Sequence, residues 1–268
     1  MIAYDPLNKR LALFQQQATP DFWDEQWNKE DLKKNISSGK THHFIKHFTQ
    51  SYIAPGGRIL EGGCGTGQVV YAMSSWGYDA QGIDYAQKSV ATTRALIPSL
   101  QISVQDVRAT TFPDAFFDGY WSLGVIEHFW EGFAPITNEA HRVLKPDGIL
   151  FLTFPWMSPL RRMKAKLGRY PRLEPHTDFS NFYEFMLDKG RVVHELEAQG
   201  FACVETYPYD ALKSLKDELP LLRPLLQKLY TSKSPFARAT RLVLTVLFAR
   251  LCGHMILLVC KKSSSTSR

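Results

Sequence analysis

With 268 residues, 44% of them hydrophobic and 13% aromatic, the chain has the length and apolar content of one folded α/β domain with additions, and a disordered polymer is excluded. The formal net charge of +6 is modest and gathered in patches. Four cysteines (Cys64, Cys203, Cys252, Cys260) lie far apart without a C-x-x-C pair, which excludes a disulfide framework or a zinc ribbon and fits a reducing, cytoplasmic setting.

Residues 1–13 are polar, with Asp5, Asn8, Lys9 and Arg10 among them, and do not read as a signal peptide. Thr19-Pro20-Asp21 reads as a helix start: a capping hydroxyl, proline at the first helical position, then an acid at the positive end of the dipole. That helix carries Phe22, Trp23 and Trp27, with the tryptophans on one face. A second helical stretch covers 40–52, so residues 1–54 are expected to form an N-terminal helical cover. Pro55-Gly56-Gly57 then breaks the chain.

From there strands and helices alternate, the pattern of a mostly parallel sheet covered on both faces. The strands are expected at 58–61, 79–84, 101–106, 117–125 and 149–154, and the helices at 66–76, 86–96 and 133–144. A helix at 189–199 ends at Gly200 and feeds a strand at 201–207; a strand at 255–261 closes the domain, 55–262. Two long insertions interrupt it, 155–181 and 209–253, of the kind that usually cover or build a site. Within the second, 236–251 is nearly continuous apolar sequence and is expected to be a buried helix, followed by a turn at Gly253. The Ser-rich tail, 263–268, is expected to be disordered.

The most informative run is Glu61-Gly62-Gly63-Cys64-Gly65-Thr66-Gly67. A strand ends in an acid, and a glycine loop opens a helix whose free N–H groups face a ligand. A carboxylate at the mouth of such a loop repels a pyrophosphate and attracts a cationic ligand. S-adenosylmethionine carries an ammonium and a sulfonium beside an adenosine. Asp84 and Asp106 fall at the ends of the next two strands, the edge where ligands bind in an open parallel sheet. Asp84 suits the ribose hydroxyls and Asp106 the adenine amino group. The competing ligand is a nicotinamide dinucleotide, for which Gly63-x-Gly65-x-Gly67 is one position out of register.

These motifs resemble those of the class I S-adenosylmethionine-dependent methyltransferases. Glu61 to Gly67 is similar to their first motif, Gly82-Ile83-Asp84-Tyr85 to the second and Gln105-Asp106-Val107 to the third. Phe117-Asp118-Gly119-Tyr120-Trp121 through Glu127-His128 resembles the fourth strand region, and Leu144-Lys145-Pro146-Asp147-Gly148 the turn before the fifth strand. The resemblance implies a Rossmann-like seven-stranded sheet with an antiparallel last strand. It implies a cofactor site lined by Glu61, Gly62, Gly63, Gly65, Gly67, Asp84, Tyr85, Asp106, Val107 and Leu123. The N-terminal helix resembles one that laps over the cofactor in some small-molecule methyltransferases, which implies the same for Trp23 and Trp27.

On the acceptor side, His128 is the candidate general base for an oxygen or nitrogen nucleophile of a small molecule. A related group of O-methyltransferases binds a divalent metal with such a Glu-His pair and an acid three residues earlier. Gly124 stands at that position, so no metal is expected, and His42, His43 and His47 read as a polar helix face. Arg161, Arg162, Lys164, Lys166, Arg169 and Arg172 form a basic run without an acid. It reads either as a solvated lid or as an attractor for an anionic acceptor or an anionic membrane surface. The remaining alternatives are a monotopic enzyme at the inner face of a membrane, a homodimer, and a catalytically inactive cofactor-binding subunit. No base-flipping motif is present, which argues against a nucleic-acid substrate.

Overall fold

The computed structural model describes residues 1–27, 32–174 and 176–263, with only the backbone of Gln26 and Trp27. Two short strands come first, β1 (Ile2–Asp5) and β2 (Arg10–Phe14), followed by helices α1 (Pro20–Trp27), α2 (Leu32–Ser37) and α3 (His43–Tyr52). The first residues therefore do not belong to an all-helical cover. Asp5 organises the hairpin: its carboxylate accepts from Leu7 N, Asn8 N and Asn8 Nδ2 and pairs with Arg10 at 3.0 Å, while Lys9 takes a positive φ of 52°.

The alternating body follows: β3 (Arg58–Gly62), α4 (Gln68–Ser75), β4 (Asp79–Asp84), α5 (Gln87–Leu96), β5 (Ile102–Val104), β6 (Phe117–Leu123), α6 (Ala134–Val143) and β7 (Leu144–Pro155). The third expected strand is shorter than 101–106, because Asp106 already turns back to bridge Ala109. Next come α7 (Pro159–Lys166), β8 (Phe182–Met186), α8 (Lys189–Ala198), β9 (Phe201–Tyr209), α9 (Ala211–Glu218), α10 (Arg223–Thr231), α11 (Pro235–Cys252) and β10 (Met255–Lys262).

The main sheet has seven strands in the order β5-β4-β3-β6-β7-β10-β9, and β10 runs antiparallel to both its neighbours. Side chains alternate between the faces of this sheet. Leu60, Tyr120, Leu150, Leu152 and Ile256 pack with Ile136, Ala140 and Val143 of α6 and with Val192 and Leu196 of α8. Their neighbours Ile59, Trp121, Phe151, Leu257 and Val259 face the other way, onto Phe44, Ile45 and Phe48 of α3 and Val70 and Met73 of α4. Burial on both faces is why these strands read as continuous apolar runs. A second, three-stranded antiparallel sheet, β1-β2-β8, joins the N-terminal hairpin to the segment that follows the first insertion.

Two expectations about the insertions are corrected. Helix α11 is not buried. Phe236 is 81% and Val246 73% exposed, and of its residues Ala237, Ala249 and Cys252 are the buried ones. The body covers a narrow stripe of small residues, and the helix is apolar on its other faces too. The basic run is not simply solvated either. Arg161 is 1% exposed; it donates to Glu218 at 2.9 Å, to the Trp156 carbonyl at 2.9 Å, and meets His254 Nδ1 at 2.7 Å. Lys164 and the Tyr170 hydroxyl bind the same Glu218 carboxylate. Burial pushes that carboxyl up, but the bonds from Lys164, Tyr170 and Arg161 outweigh it and hold Glu218 below its ordinary value. This cluster fastens α7 to α9 and to the start of β10.

Among the described residues no helix is long and apolar enough to cross a membrane. The expected disorder of 263–268 falls almost entirely outside the described residues.

Candidate active site

The loop after β3 is clamped from β4. Gly63 N and Cys64 N both donate to the Ile83 carbonyl, at 2.8 and 2.9 Å, and Gly65 N donates to Asp84 Oδ2 at 2.8 Å. The other oxygen of Asp84 accepts from Ala86 N at 2.9 Å, at the start of α5. The turn requires glycine at Gly63, where φ is +74° and a Cβ would meet Val125 Cγ2 at 2.5 Å. Gly67, with φ +73°, would strike Leu100 at 2.8 Å.

Above this loop lies an open crevice at the carboxyl end of the sheet. It brings together Trp23, Gly63, Asp84, Tyr85, Asp106, Val107, Leu123 and His128, all expected from sequence. Gln105, Arg108, Gly124, Val125 and Phe129 also line it and were not expected. Gly62, Gly65 and Gly67 shape the loop without lining the crevice, and the Trp27 side chain lies outside the described residues.

Glu61 sits beneath the loop, 3% exposed, with Oε2 lacking any hydrogen-bond partner. Burial first, and then the charge of Asp84, push its carboxyl well above the ordinary value. A buried acid under a glycine loop, with one carboxylate oxygen unpartnered, fits a ligand with a positive end, so the residues present suit S-adenosylmethionine. Asp106 is less available than its position suggested. Arg108 grips it with Nε at 3.0 and 3.1 Å and Nη2 at 2.6 Å, a two-residue clamp that is legible only once the chain turns after β5.

The crevice has a roof. Tyr85 donates to the Ala18 carbonyl at 2.9 Å, and Thr19 caps α1 by accepting from Phe22 N at 3.2 Å. Trp23 of α1 packs edge-on against His128, ring centroids 5.2 Å apart, and Phe22 against Tyr183 at 5.8 Å. His128 Nδ1 lies 2.7 Å from the Tyr183 carbonyl, which places the proton on Nδ1 and the lone pair on Nε2. Burial lowers the His128 pKa, so the ring is neutral at neutral pH. Glu127 and Glu184 lie beside it, one ligand atom of each of the three within 4.8 Å of the others. Burial raises Glu184 to about 7. Glu184 arrives from β8, and no local pattern in the sequence marks it.

Comparison with known proteins fits this geometry. Residues 60–152 match a family model described as a methyltransferase domain. A Mycolicibacterium smegmatis protein named "Probable S-adenosylmethionine-dependent methyltransferase" is 28% identical over 164 residues, 61% of this chain and 59% of that protein. A ubiquinone biosynthesis O-methyltransferase of Xanthomonas campestris is 32% identical over 126 residues, 42% of this chain and 52% of that one. The matches thus span a little over half the length of these relatives. Among solved structures, the cyclase SpnF superposes with a TM-score of 0.55 at 18% identity, covering 94% of this chain and 99% of that one. A cyclase on the same framework shows that the fold by itself does not name a reaction.

Proposed function

We propose that this chain, which belongs to the class I S-adenosylmethionine-dependent methyltransferase superfamily, transfers a methyl group to an oxygen or nitrogen atom of a small molecule. The observation that carries the reading is the buried Glu61 beneath the glycine loop, whose Oε2 has no hydrogen-bond partner, together with the crevice above the loop that Asp84, Tyr85 and the neutral His128 line.

The cofactor supplies an activated methyl group, so the chain's own task is orientation. Glu61 and the loop would hold the positive methionine end, and Asp84 and Tyr85 the ribose. Trp23 and α1 close over the top and exclude water. On the acceptor side His128 is fixed by Tyr183, and its Nε2 can take the proton that an oxygen or nitrogen nucleophile must lose. Incubation with labelled cofactor and an extract of small metabolites tests this. Label should pass to a low-molecular-mass product; cofactor bound without any transfer would contradict the reading and favour an inactive subunit.

A second observation favours a membrane-surface version. From residue 219 to 262 the sequence holds no Asp or Glu. The same region presents Leu221, Leu225, Phe236, Leu242, Val246 and Leu247 to solvent, with Arg223, Lys228, Arg238 and Arg250 around them. Exposed apolar helices with only positive charge match an anionic bilayer. Sedimentation with phosphatidylglycerol vesicles should deplete the protein from solution and phosphatidylcholine vesicles should not. Equal recovery in the supernatant from both would end this version.

A further inference from the structure

Glu127 and His128 come from the turn after β6, and Glu184 from β8 far down the chain. Glu127 is 2% exposed, and its Oε2 has no hydrogen-bond partner. A side chain at Gly124 would press on this group, since a Cβ there would stand 3.3 Å from Glu127 Oε1. One ligand atom each of Glu127, His128 and Glu184 lies within 4.8 Å of the others, a spacing that a single cation can bridge.

We propose that Glu127, His128 and Glu184 form a binding site for a divalent transition-metal ion, Mn²⁺ or Zn²⁺, on the acceptor side of the crevice. One imidazole with two carboxylates is a borderline donor set. The nitrogen ligand disfavours Ca²⁺ and Mg²⁺, and the absence of a thiolate disfavours Cu(I). Three protein ligands leave coordination positions open for an acceptor oxygen, which such an ion polarises and makes more acidic. The proposal rests on the methyl-transfer reading and narrows it to an oxygen acceptor. The His128 lone pair then holds the ion instead of taking the proton. Glu184 supplies the acid that Gly124 lacks, from a strand of the inserted sheet.

The test is titration of EDTA-stripped protein with MnCl₂, read from the free Mn²⁺ paramagnetic resonance signal, and with ZnCl₂ by calorimetry, both with S-adenosylhomocysteine present. One ion per chain is expected. Glu184→Gln and Glu127→Gln should each weaken ion affinity about tenfold or more, while S-adenosylhomocysteine affinity changes less than about twofold. Saturable binding of S-adenosylhomocysteine by a protein that takes up neither Mn²⁺ nor Zn²⁺ would overturn the site. So would unchanged ion affinity in a Glu184→Gln variant that keeps the wild-type melting midpoint. A third contrary result is displacement of the ion by propylammonium at comparable concentration, which would assign the pocket to an amine. Loss of S-adenosylhomocysteine binding alone would strike the methyl-transfer reading, while the ion titration still decides the site.

Discussion

The Asp24 carboxylate on α1 accepts hydrogen bonds from both the backbone N–H and the Oγ of Ser89 on α5, each at 2.8 Å. One helix thereby caps the first turn of another, where free N–H groups and the dipole favour an anion. The consequence is positional: α1 is held over the crevice, with Trp23 against His128.

Asp24→Ala should release this roof. Losing the bonds from Ser89 N, Ser89 Oγ and Lys88 N should lower stability by about 1–3 kcal/mol and weaken S-adenosylhomocysteine binding several-fold, of order 1 kcal/mol. Calorimetry and thermal melts measure both. Wild-type affinity in a variant whose melting midpoint has dropped would separate α1 from the cofactor.

Glu61 makes cofactor affinity depend on pH. Its folded pKa lies well above that of an unfolded chain, so the stability tied to its neutral form is present at low pH and lost as pH rises. A ligand ammonium favours the ionised form. Binding of S-adenosylhomocysteine should therefore release a proton from Glu61, and affinity should rise with pH until the free carboxyl is ionised. Glu61→Gln should flatten that rise. Calorimetry in buffers of different ionisation enthalpy reads the proton directly, and no buffer dependence at the low-pH end would refute the assignment.

Glu218 is the anion that holds the insertions together. Glu218→Ala leaves Arg161 buried and unpaired, and should cost about 3–5 kcal/mol in chemical denaturation. A cost under about 1 kcal/mol, the size of a surface pair, would mean that the cluster is not what fastens α7 to α9.

The double variant Val246→Asp with Leu247→Asp should leave stability within about 0.5 kcal/mol, because both side chains face solvent. It should abolish sedimentation with anionic vesicles. Undiminished sedimentation would assign that behaviour to charge alone, without the apolar face of α11.

The central sheet was legible because its signals are local. Glycine stops, apolar runs and strand-end acids sit within a few residues of one another; Gly63 and Asp84 line the crevice, whereas Glu61 ends β3 buried beneath the loop rather than in its lining. The N-terminal hairpin was not legible, although Asp5 and Arg10 flank a turn-rich stretch. Its strand β2 is completed by β8, a partner more than half the chain away, and pairing at that distance leaves no periodic trace. The same long-range contact hid Glu184. Helix α11 misled for a different reason: its apolar composition implied burial, whereas the body covers it only through Ala237, Ala249 and Cys252. Composition says that a helix needs cover and not what supplies it.

The most direct measurement is paired calorimetry of the unmodified protein with S-adenosylhomocysteine and with NAD. A crevice set above a buried acid with a free carboxylate oxygen should take up the first at one molecule per chain and ignore the second. Saturable heat with NAD, and none with S-adenosylhomocysteine, would contradict the account at its root.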